Sequence, residues 1–258
     1  MRHYGIIGNP LGHSWSARLF NASFENEGID AEYALHPVTL LNKNTLDTLI
    51  RSRRLLGFNV TIPYKQAVIP LLNEVDACAA RIGAVNVVKV EWTGDEYRLI
   101  GYNTDYIGCR ESLLPAVRGM GERHALVLGT GGAARAVAYA LSAPWDADGW
   151  AAWKVRMVSR QAGDSPYDRL TYNELTEDIV RQSRLIVNCT PLGMYPETDA
   201  CPAIPYEGIG SGHILYDCIY NPEETLFLRK GRGRGATTLN GKEMLALQAR
   251  AAWKIWDN

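Results

Sequence analysis

Several short stretches of the chain carry side chains whose types and spacing could do chemistry. In Phe58-Asn59-Val60-Thr61-Ile62-Pro63-Tyr64-Lys65, Asn59 and Thr61 fall on one face of an expected strand, and an amine follows at an expected helix start. Asn86 heads another expected strand, and Asn103-Thr104-Asp105 puts a carboxylate where a strand gives way to a helix. Small polar groups gathered at strand ends suit a ligand, because α/β sheets bind ligands there. An ammonium such as Lys65 can stabilise an oxygen on which negative charge develops and then protonate it. Taken singly, Lys65 reads as a surface lysine and Asp105 as a helix N-cap.

Gly8-Asn9-Pro10-Leu11-Gly12-His13-Ser14-Trp15-Ser16 sets two hydroxyls two residues apart at a helix start. The unpaired N–H groups there favour a carboxylate, although Ser14 alone reads as an ordinary N-cap and Ser16 as a solvated first-turn residue. Gly129-Thr130-Gly131-Gly132-Ala133-Ala134 follows an apolar strand and opens an alanine-rich helix, the context in which G-x-G-x-x-A binds a nucleotide. The first glycine permits the turn, the second lets backbone approach a pyrophosphate, and Ala134 allows close helix-sheet packing. Mononucleotide and dinucleotide both fit this motif. At the end of the next strand, where NAD-preferring folds place an acid, the chain reads Val158-Ser159-Arg160-Gln161. Arg160 could hold a 2′-phosphate through a charge-assisted fork, which favours NADP, or it could be an exposed arginine at a strand end.

Positioning these groups requires alternating strands and helices. Tyr4–Gly8, Glu32–Val38, Phe58–Ile62, Val85–Trp92 and Tyr97–Thr104 read as strands, the last two joined by a turn at Thr93-Gly94-Asp95. Ser14–Glu27, Asn44–Arg53, Lys65–Leu72 and Asp76–Ile82 read as helices, with Ser14, Asn44 and Asp76 as N-caps. This half predicts a mixed α/β sheet. A fresh unit begins at His124–Gly129 and its helix Gly132–Leu141, with further strands at Val155–Val158, Leu185–Cys189, Ile214–Ile219 and Ala236–Leu239, a doubly wound pattern. Lys242–Trp256 carries a broad apolar helical stripe with no strand after it, so it must pack elsewhere. Pro202–Gly212 is loop-like, and Pro144–Trp153 crowds three tryptophans without a functional reading.

Bulk properties bound the partners. The chain has 258 residues, 47% hydrophobic content and a net charge of -1, enough for a large core and no electrostatic basis for nucleic acid or an anionic membrane. The basic run Arg229-Lys230-Gly231-Arg232-Gly233-Arg234 stands alone and reads as a solvated helix end. Cysteines 78, 109, 189, 201 and 218 form no C-x-x-C pair and are odd in number; a reducing cytoplasm is expected, and no metal site. No apolar signal region opens the chain and no apolar run reaches transmembrane length, so a soluble, unprocessed protein acting on a small molecule is expected.

Taken together, G-N-P-L-G-H-S-W-S, N-V-T-I-P-Y-K, G-A-V-N, N-T-D, G-T-G-G-A-A, N-C-T-P-L-G-M, Y-N-P-E-E-T-L and G-K-E-M-L-A-L-Q-A occur in an order that resembles the shikimate dehydrogenase family across nearly the whole chain. The resemblance implies an α/β enzyme with a mixed-sheet substrate domain at 1–105, a Rossmann-type NADP-binding domain at 106–237, and a C-terminal helix at 238–258 that returns to the first domain. It implies reversible NADPH-dependent reduction of 3-dehydroshikimate to shikimate in aromatic amino-acid biosynthesis, by a monomer or homodimer. Ser14 and Ser16 match the pair that holds the substrate carboxylate. Asn59, Thr61, Asn86, Asp105 and Gln248 match contacts to ring hydroxyls, and Lys65 with Asp105 matches the catalytic pair, which acts as one coupled unit. Tyr220 and Asn188-Cys189-Thr190-Pro191-Leu192-Gly193-Met194 fall at the nicotinamide end, while Gly129, Gly131, Gly132, Ala133, Ala134, Ser159 and Arg160 fall at the phosphates and ribose. The chain departs from the family at Ala17 and Phe20. It departs again after Arg160, where Ala162, Gly163 and Asp164 replace a stretch with a second basic residue. A quinate or dual quinate/shikimate dehydrogenase, and a non-catalytic sensor of nucleotide or cyclic acid, are the alternatives.

Overall fold

The computed structural model of the protein describes residues 1–11, 15–121, 123–143 and 151–258. The chain divides into two compact units, Met1–Asp105 with Leu245–Asn258, and Tyr106–Met244. In the first unit β1 (Arg2–Gly8), α1 (Ser16–Glu27), β2 (Ala31–Pro37), α2 (Lys43–Arg53), β3 (Leu55–Val60), β4 (Glu74–Val75), α3 (Ala77–Ile82), β5 (Val87–Thr93) and β6 (Glu96–Tyr102) follow one another. Their sheet runs β2-β1-β3-β5-β6-β4. β1 is parallel to β2 and β3, while β3 with β5 and β5 with β6 are antiparallel, so the sheet is mixed. Gly94 at φ +63° makes the tight β5–β6 turn.

Local chemistry shifts several boundaries. Asn42, not Asn44, caps α2 by accepting from Thr45 N, whereas Asp76 caps α3 by accepting from Cys78 N and Ala79 N. α1 begins at Ser16 with Trp15 at its N-cap position and no side-chain cap bond; Ser14, expected as that cap, lies outside the described residues. β3 ends at Val60, so Asn59 and Thr61 do not share a strand face: Thr61 lies in the turn beyond, its N–H bonded to Ile7 O. The expected helix Lys65–Leu72 is absent. Turns lead instead into a short 3-10 segment at Ile69–Leu71. Pro70, inside the expected helix, has no N–H for an i→i−4 bond and its ring crowds the carbonyl one turn back.

The second unit contains α4 (Asp105–Val117, whose first residue belongs to the first unit), β7 (His124–Leu128), α5 (Gly132–Ser142), β8 (Lys154–Ser159), β9 (Asp168–Thr171), α6 (Glu177–Gln182), β10 (Leu185–Asn188), β11 (Ile214–Asp217), α7 (Leu226–Gly233) and β12 (Thr237–Leu239). The sheet order is β12-β11-β10-β7-β8-β9 and every pairing is parallel. Alternate strand residues build two cores. Val127, Val187 and Tyr216 pack with Leu113, Val137 and Leu141 on one face, and Leu126, Ile186 and Leu215 with Val180 and Phe227 on the other. Chain order reverses at β7, between β8 and β10, which makes the C-terminal ends of these strands the switch point of a doubly wound sheet. Trp153 of the tryptophan-rich stretch is buried in the first of these cores; 144–150 lie outside the described residues. No helix among the described residues is long and apolar enough to cross a membrane.

The last helix, α8 (Lys242–Asp257), begins in the second unit and from Leu245 onward belongs to the first. Trp256 stacks on Tyr4 at 5.1 Å between centroids, approaches Phe20 at 5.4 Å, and donates its indole N–H to Val88 O at 3.0 Å. Phe20 lies flat on Tyr33 at 4.5 Å and so joins this aromatic cluster. Gly57 on β3 makes room for Trp256, because any Cβ there would collide with the indole ring. Gly57→Ala should therefore cost about 1–3 kcal/mol and lower the melting temperature. Gly121→Ala, whose Cβ meets no atom within 4 Å, should melt as wild type. Equal melting of all three proteins would contradict this seating of α8.

Candidate active site

Asn86, immediately before β5 and 3% exposed, is the centre of a polar network. Its Oδ1 accepts from Thr104 N at 2.6 Å, and its Nδ2 faces Asp105 Oδ1 at 2.9 Å, Thr104 Oγ1 at 3.0 Å and Gln248 Oε1 at 3.3 Å. Asn103 Oδ1 accepts from Asp105 N at 3.0 Å, which sets the start of α4 and aims the carboxylate. The other carboxylate oxygen, Asp105 Oδ2, accepts from Lys65 Nζ at 2.6 Å. The two side chains are 15% and 8% exposed, so this is a charged pair largely withdrawn from water but still open on the lysine side. Removing either partner would leave a mostly buried charge unmatched, at a cost on the order of 3–5 kcal/mol.

Lys65 is placed by its neighbours. Buried Tyr64 pins the turn by donating its hydroxyl to Val38 O at 2.7 Å, and Lys65 O accepts from Val85 N at 2.7 Å, one residue before Asn86. From α8, Gln248 is held through Nε2 to Leu245 O at 2.9 Å, and its Oε1 also accepts from Thr104 Oγ1 at 3.4 Å. Lys65, Asn86, Asp105 and Gln248 thus form one connected set, with fully buried Thr104 at its heart. Thr104 and Asn103 stand within the N-T-D motif, but the motif marks only its aspartate as a site residue.

Of the other residues expected on the substrate side, Asn59 lies one bond further out. Asn59 Nδ2 donates to Asn86 O at 3.0 Å while its Oδ1 accepts from Tyr33 OH at 2.6 Å. One amide proton and one lone pair of Asn59 remain for a ligand. The buried Ser16 hydroxyl meets Tyr33, whose phenol is pushed well above its ordinary range by burial. Thr61 turns its methyl against Gly8. Tyr33, the support of Asn59, carries no signal in the sequence; it sits in a strand of mixed composition and only its partners mark it.

In the second unit, Gly129 adopts φ +112° as β7 ends, with Cys189 O 3.3 Å from where a Cβ would stand. Gly131 occupies the N-cap of α5 without a side-chain cap, and no atom lies within 4 Å of its missing Cβ. The eleven-residue helix therefore starts with no side chain on its N-cap, half-buried Gly132 and Ala133 lie in its first turn, and Ala134 is fully buried under it. An anion fits here without displacing a side chain. Ser159 is buried at the end of β8, donating to Gln161 O at 2.5 Å, and Arg160 is exposed.

Thr190 donates from N and Oγ1 to Asn188 Oδ1 at 3.0 and 2.7 Å, fixing the loop after β10. Gly193 adopts φ +97° close to Ala200 O, and Met194 is 44% exposed. Half-buried Tyr220 follows β11. Asn188 is held by Asp217 Oδ1 at 3.1 Å, and Asp217 also accepts from Ile219 N at 3.0 Å and Thr225 Oγ1 at 2.6 Å. Neither Asp217 nor Thr225 stands out in the sequence, where each is one polar residue beside an apolar run.

Residues 6–88 match the family model described as the shikimate dehydrogenase substrate binding domain. The chain is 35% identical over 256 residues to the shikimate dehydrogenase (NADP(+)) of Methanococcus maripaludis, spanning 98% of this chain and 90% of that protein. Among solved structures, the shikimate dehydrogenase of Aquifex aeolicus superposes with a TM-score of 0.85 at 34% identity, over 100% of this chain and 92% of that one. That of Thermus thermophilus in complex with NADP(H) and shikimate gives 0.81 at 29% identity, over 99% and 93%.

Burial pushes the Asp217 carboxyl up to about 6, against the pull of the three hydrogen bonds it accepts. The folded state therefore holds this proton more tightly than the unfolded chain. Its contribution to stability is complete below about pH 4 and is lost as pH rises through 6, by up to about 3 kcal/mol. Chemical denaturation at pH 4, 5, 6 and 7 should show this slope in the wild type and a shallower one in Asp217→Asn. Identical slopes would contradict the assignment.

Proposed function

The chain belongs to the shikimate dehydrogenase family, and we propose that it interconverts 3-dehydroshikimate and shikimate with NADP(H) through the Lys65–Asp105 pair. The observation that carries this reading is the 2.6 Å contact between Lys65 Nζ and Asp105 Oδ2, tied by Asn86 to Gln248. An amine, a carboxylate and two amides on one network match the needs of a hydroxylated ring with a reacting C–O group. On this reading 1–105 with the C-terminal helix takes the substrate and 106–237 takes the cofactor.

Asn86, Asp105 and Gln248 contact ring hydroxyls, and Asn59 offers its remaining proton and lone pair from beside them. Thr61 lines the turn that presents Lys65. Ser14 and Ser16 hold the ring carboxylate, and Tyr220 borders the reacting carbon. Gly129, Gly131, Gly132, Ala133 and Ala134 accept the pyrophosphate at the uncapped start of α5, while Thr190, Gly193 and Met194 flank the nicotinamide. Ser159 and Arg160 meet the ribose, where no carboxylate stands at the end of β8 to repel a 2′-phosphate.

When bound, NADPH supplies the hydride that reaches the ketone carbon. Lys65 stabilises the negative charge growing on the ketone oxygen and the Lys65–Asp105 pair delivers the proton to it; in the oxidative direction the pair takes the proton from the hydroxyl. Asp105 keeps the lysine in range and orients a neighbouring hydroxyl, its own position fixed by Asn103 and Asn86.

Purified protein mixed with shikimate or quinate, each with NADP or NAD, should reduce nicotinamide fastest with shikimate and NADP. Faster turnover with quinate would overturn the substrate reading. Faster turnover with NAD would overturn the role of Arg160, and silence in all four mixtures would leave a non-catalytic sensor. Lys65→Ala should lower kcat by roughly 10²- to 10⁴-fold. A folded Lys65→Ala enzyme with near wild-type kcat would end the mechanism.

A further inference from the structure

The loop after β8 reads Ser159-Arg160-Gln161-Ala162-Gly163-Asp164, with Arg160 as its one cation. The structure offers a cation from another element. β9 pairs with β8 in parallel, Met157 opposite Arg169 and Ser159 opposite Thr171. From there Arg169 reaches along the strand and donates Nε to Ser159 Oγ at 3.0 Å and Nη1 to Asp164 O at 3.3 Å. Gly163 makes room for it, since a Cβ at that position would stand 2.8 Å from Nη1. The guanidinium thus braces both ends of the 159–164 loop, and its Nη2 edge has no hydrogen-bond partner among the described residues.

Neither Arg160 nor Arg169 forms an ion pair among the described residues. Among the exposed arginines of this unit, Arg181 pairs with Glu177 and Asp178, Arg232 with Glu224 and Arg234 with Glu207, while Arg118 and Arg229, like Arg160, form no ion pair among the described residues. Two unmatched guanidiniums therefore serve one loop, at the strand end where this type of sheet receives the adenosine ribose. A phosphate monoester with nearly two negative charges is the ligand chemistry that matches them, since a planar fork meets phosphate oxygens in pairs.

We infer that Arg169, acting from β9 alongside Arg160, binds the 2′-phosphate of the cofactor and supplies the contact that the loop itself lacks. This rests on the reading of the cofactor as NADP. Ser159 is the hinge of the arrangement: its hydroxyl donates to Gln161 O and accepts from Arg169, so the loop and the second guanidinium are fixed by one side chain.

Calorimetric titration of the full-length protein with adenosine 2′,5′-bisphosphate and with 5′-AMP separates the possibilities. Wild type should bind the bisphosphate more tightly. Arg169→Gln should weaken the bisphosphate ~10- to 100-fold and leave 5′-AMP within about 2-fold, with a smaller dependence of binding on salt. Equal weakening of both ligands would show Arg169 to be a brace for the loop only, and an unchanged bisphosphate affinity would remove it from the site; either overturns the inference while leaving the cofactor reading intact. A wild type that does not distinguish the two ligands would overturn the cofactor reading itself, and the inference with it. Should Arg169→Gln fail to fold, Arg169→Lys reads the same ratio: it keeps the charge without the fork, so a partial loss confined to the bisphosphate is expected and an unchanged ratio contradicts the role.

Discussion

The first unit depends on a single buried amide. Asn86 is bonded through its backbone to Tyr102 O and to Val60 N, so it is locked between β3 and β6 before its side chain does anything. That side chain then meets Thr104, Asp105 and Gln248, drawn from the start of α4 and from α8. A buried amide left without partners costs about 1–3 kcal/mol, so the fold and the polar network stand or fall together. The lysine-carboxylate pair inherits its geometry from this arrangement. Asp105 is held at both oxygens and at its own N–H, and Lys65, 15% exposed against 8% for Asp105, is the more open member of the pair.

The C-terminal helix extends the same logic. Its residue Trp256 fills the space that Gly57 leaves on β3 and caps the aromatic cluster of Tyr4, Phe20 and Tyr33. Two turns earlier the same helix presents Gln248 to Asn86. Packing far from the chemistry thus places an amide at the site, and Tyr33 belongs to both systems: its ring stacks on Phe20 while its hydroxyl holds Asn59. In the second unit Asp217 plays the corresponding part, gathering Asn188, Ile219 and Thr225 so that the loop bearing Thr190 and Gly193 has one conformation.

Strong periodic signals are legible in the sequence. The apolar runs at β1, β7, β10 and β11, the glycine turn opening α5, and the stripe of α8 all appear there as they do in the fold, because burial on both faces or on one stripe leaves a composition that turns cannot imitate. Short polar elements are not legible. β9 reads Asp168-Arg169-Leu170-Thr171, a sheet edge with little apolar content, and α6 is six residues long with four of them polar or charged. The expected helix at Lys65–Leu72 fails because its apolar spacing ignores the Pro70 within it. At the site, the motif residues are readable and their supports are not. Thr104, Tyr33 and Asp217 act through contacts between elements distant in the chain and Arg169 through the pairing of β8 with β9, and no spacing rule within one segment encodes those.

The central claim is that Lys65 and Asp105 work as one unit, and a double-mutant cycle on turnover measures that directly. With kcat for shikimate and NADP determined in Lys65→Ala, Asp105→Ala and the double variant, the account predicts a double variant within about 3-fold of the slower single one, since groups acting as a unit are lost together. A double variant slower by the product of the two single effects would mean that the residues contribute independently, and the network built on Asn86 would then have to be explained as structure alone.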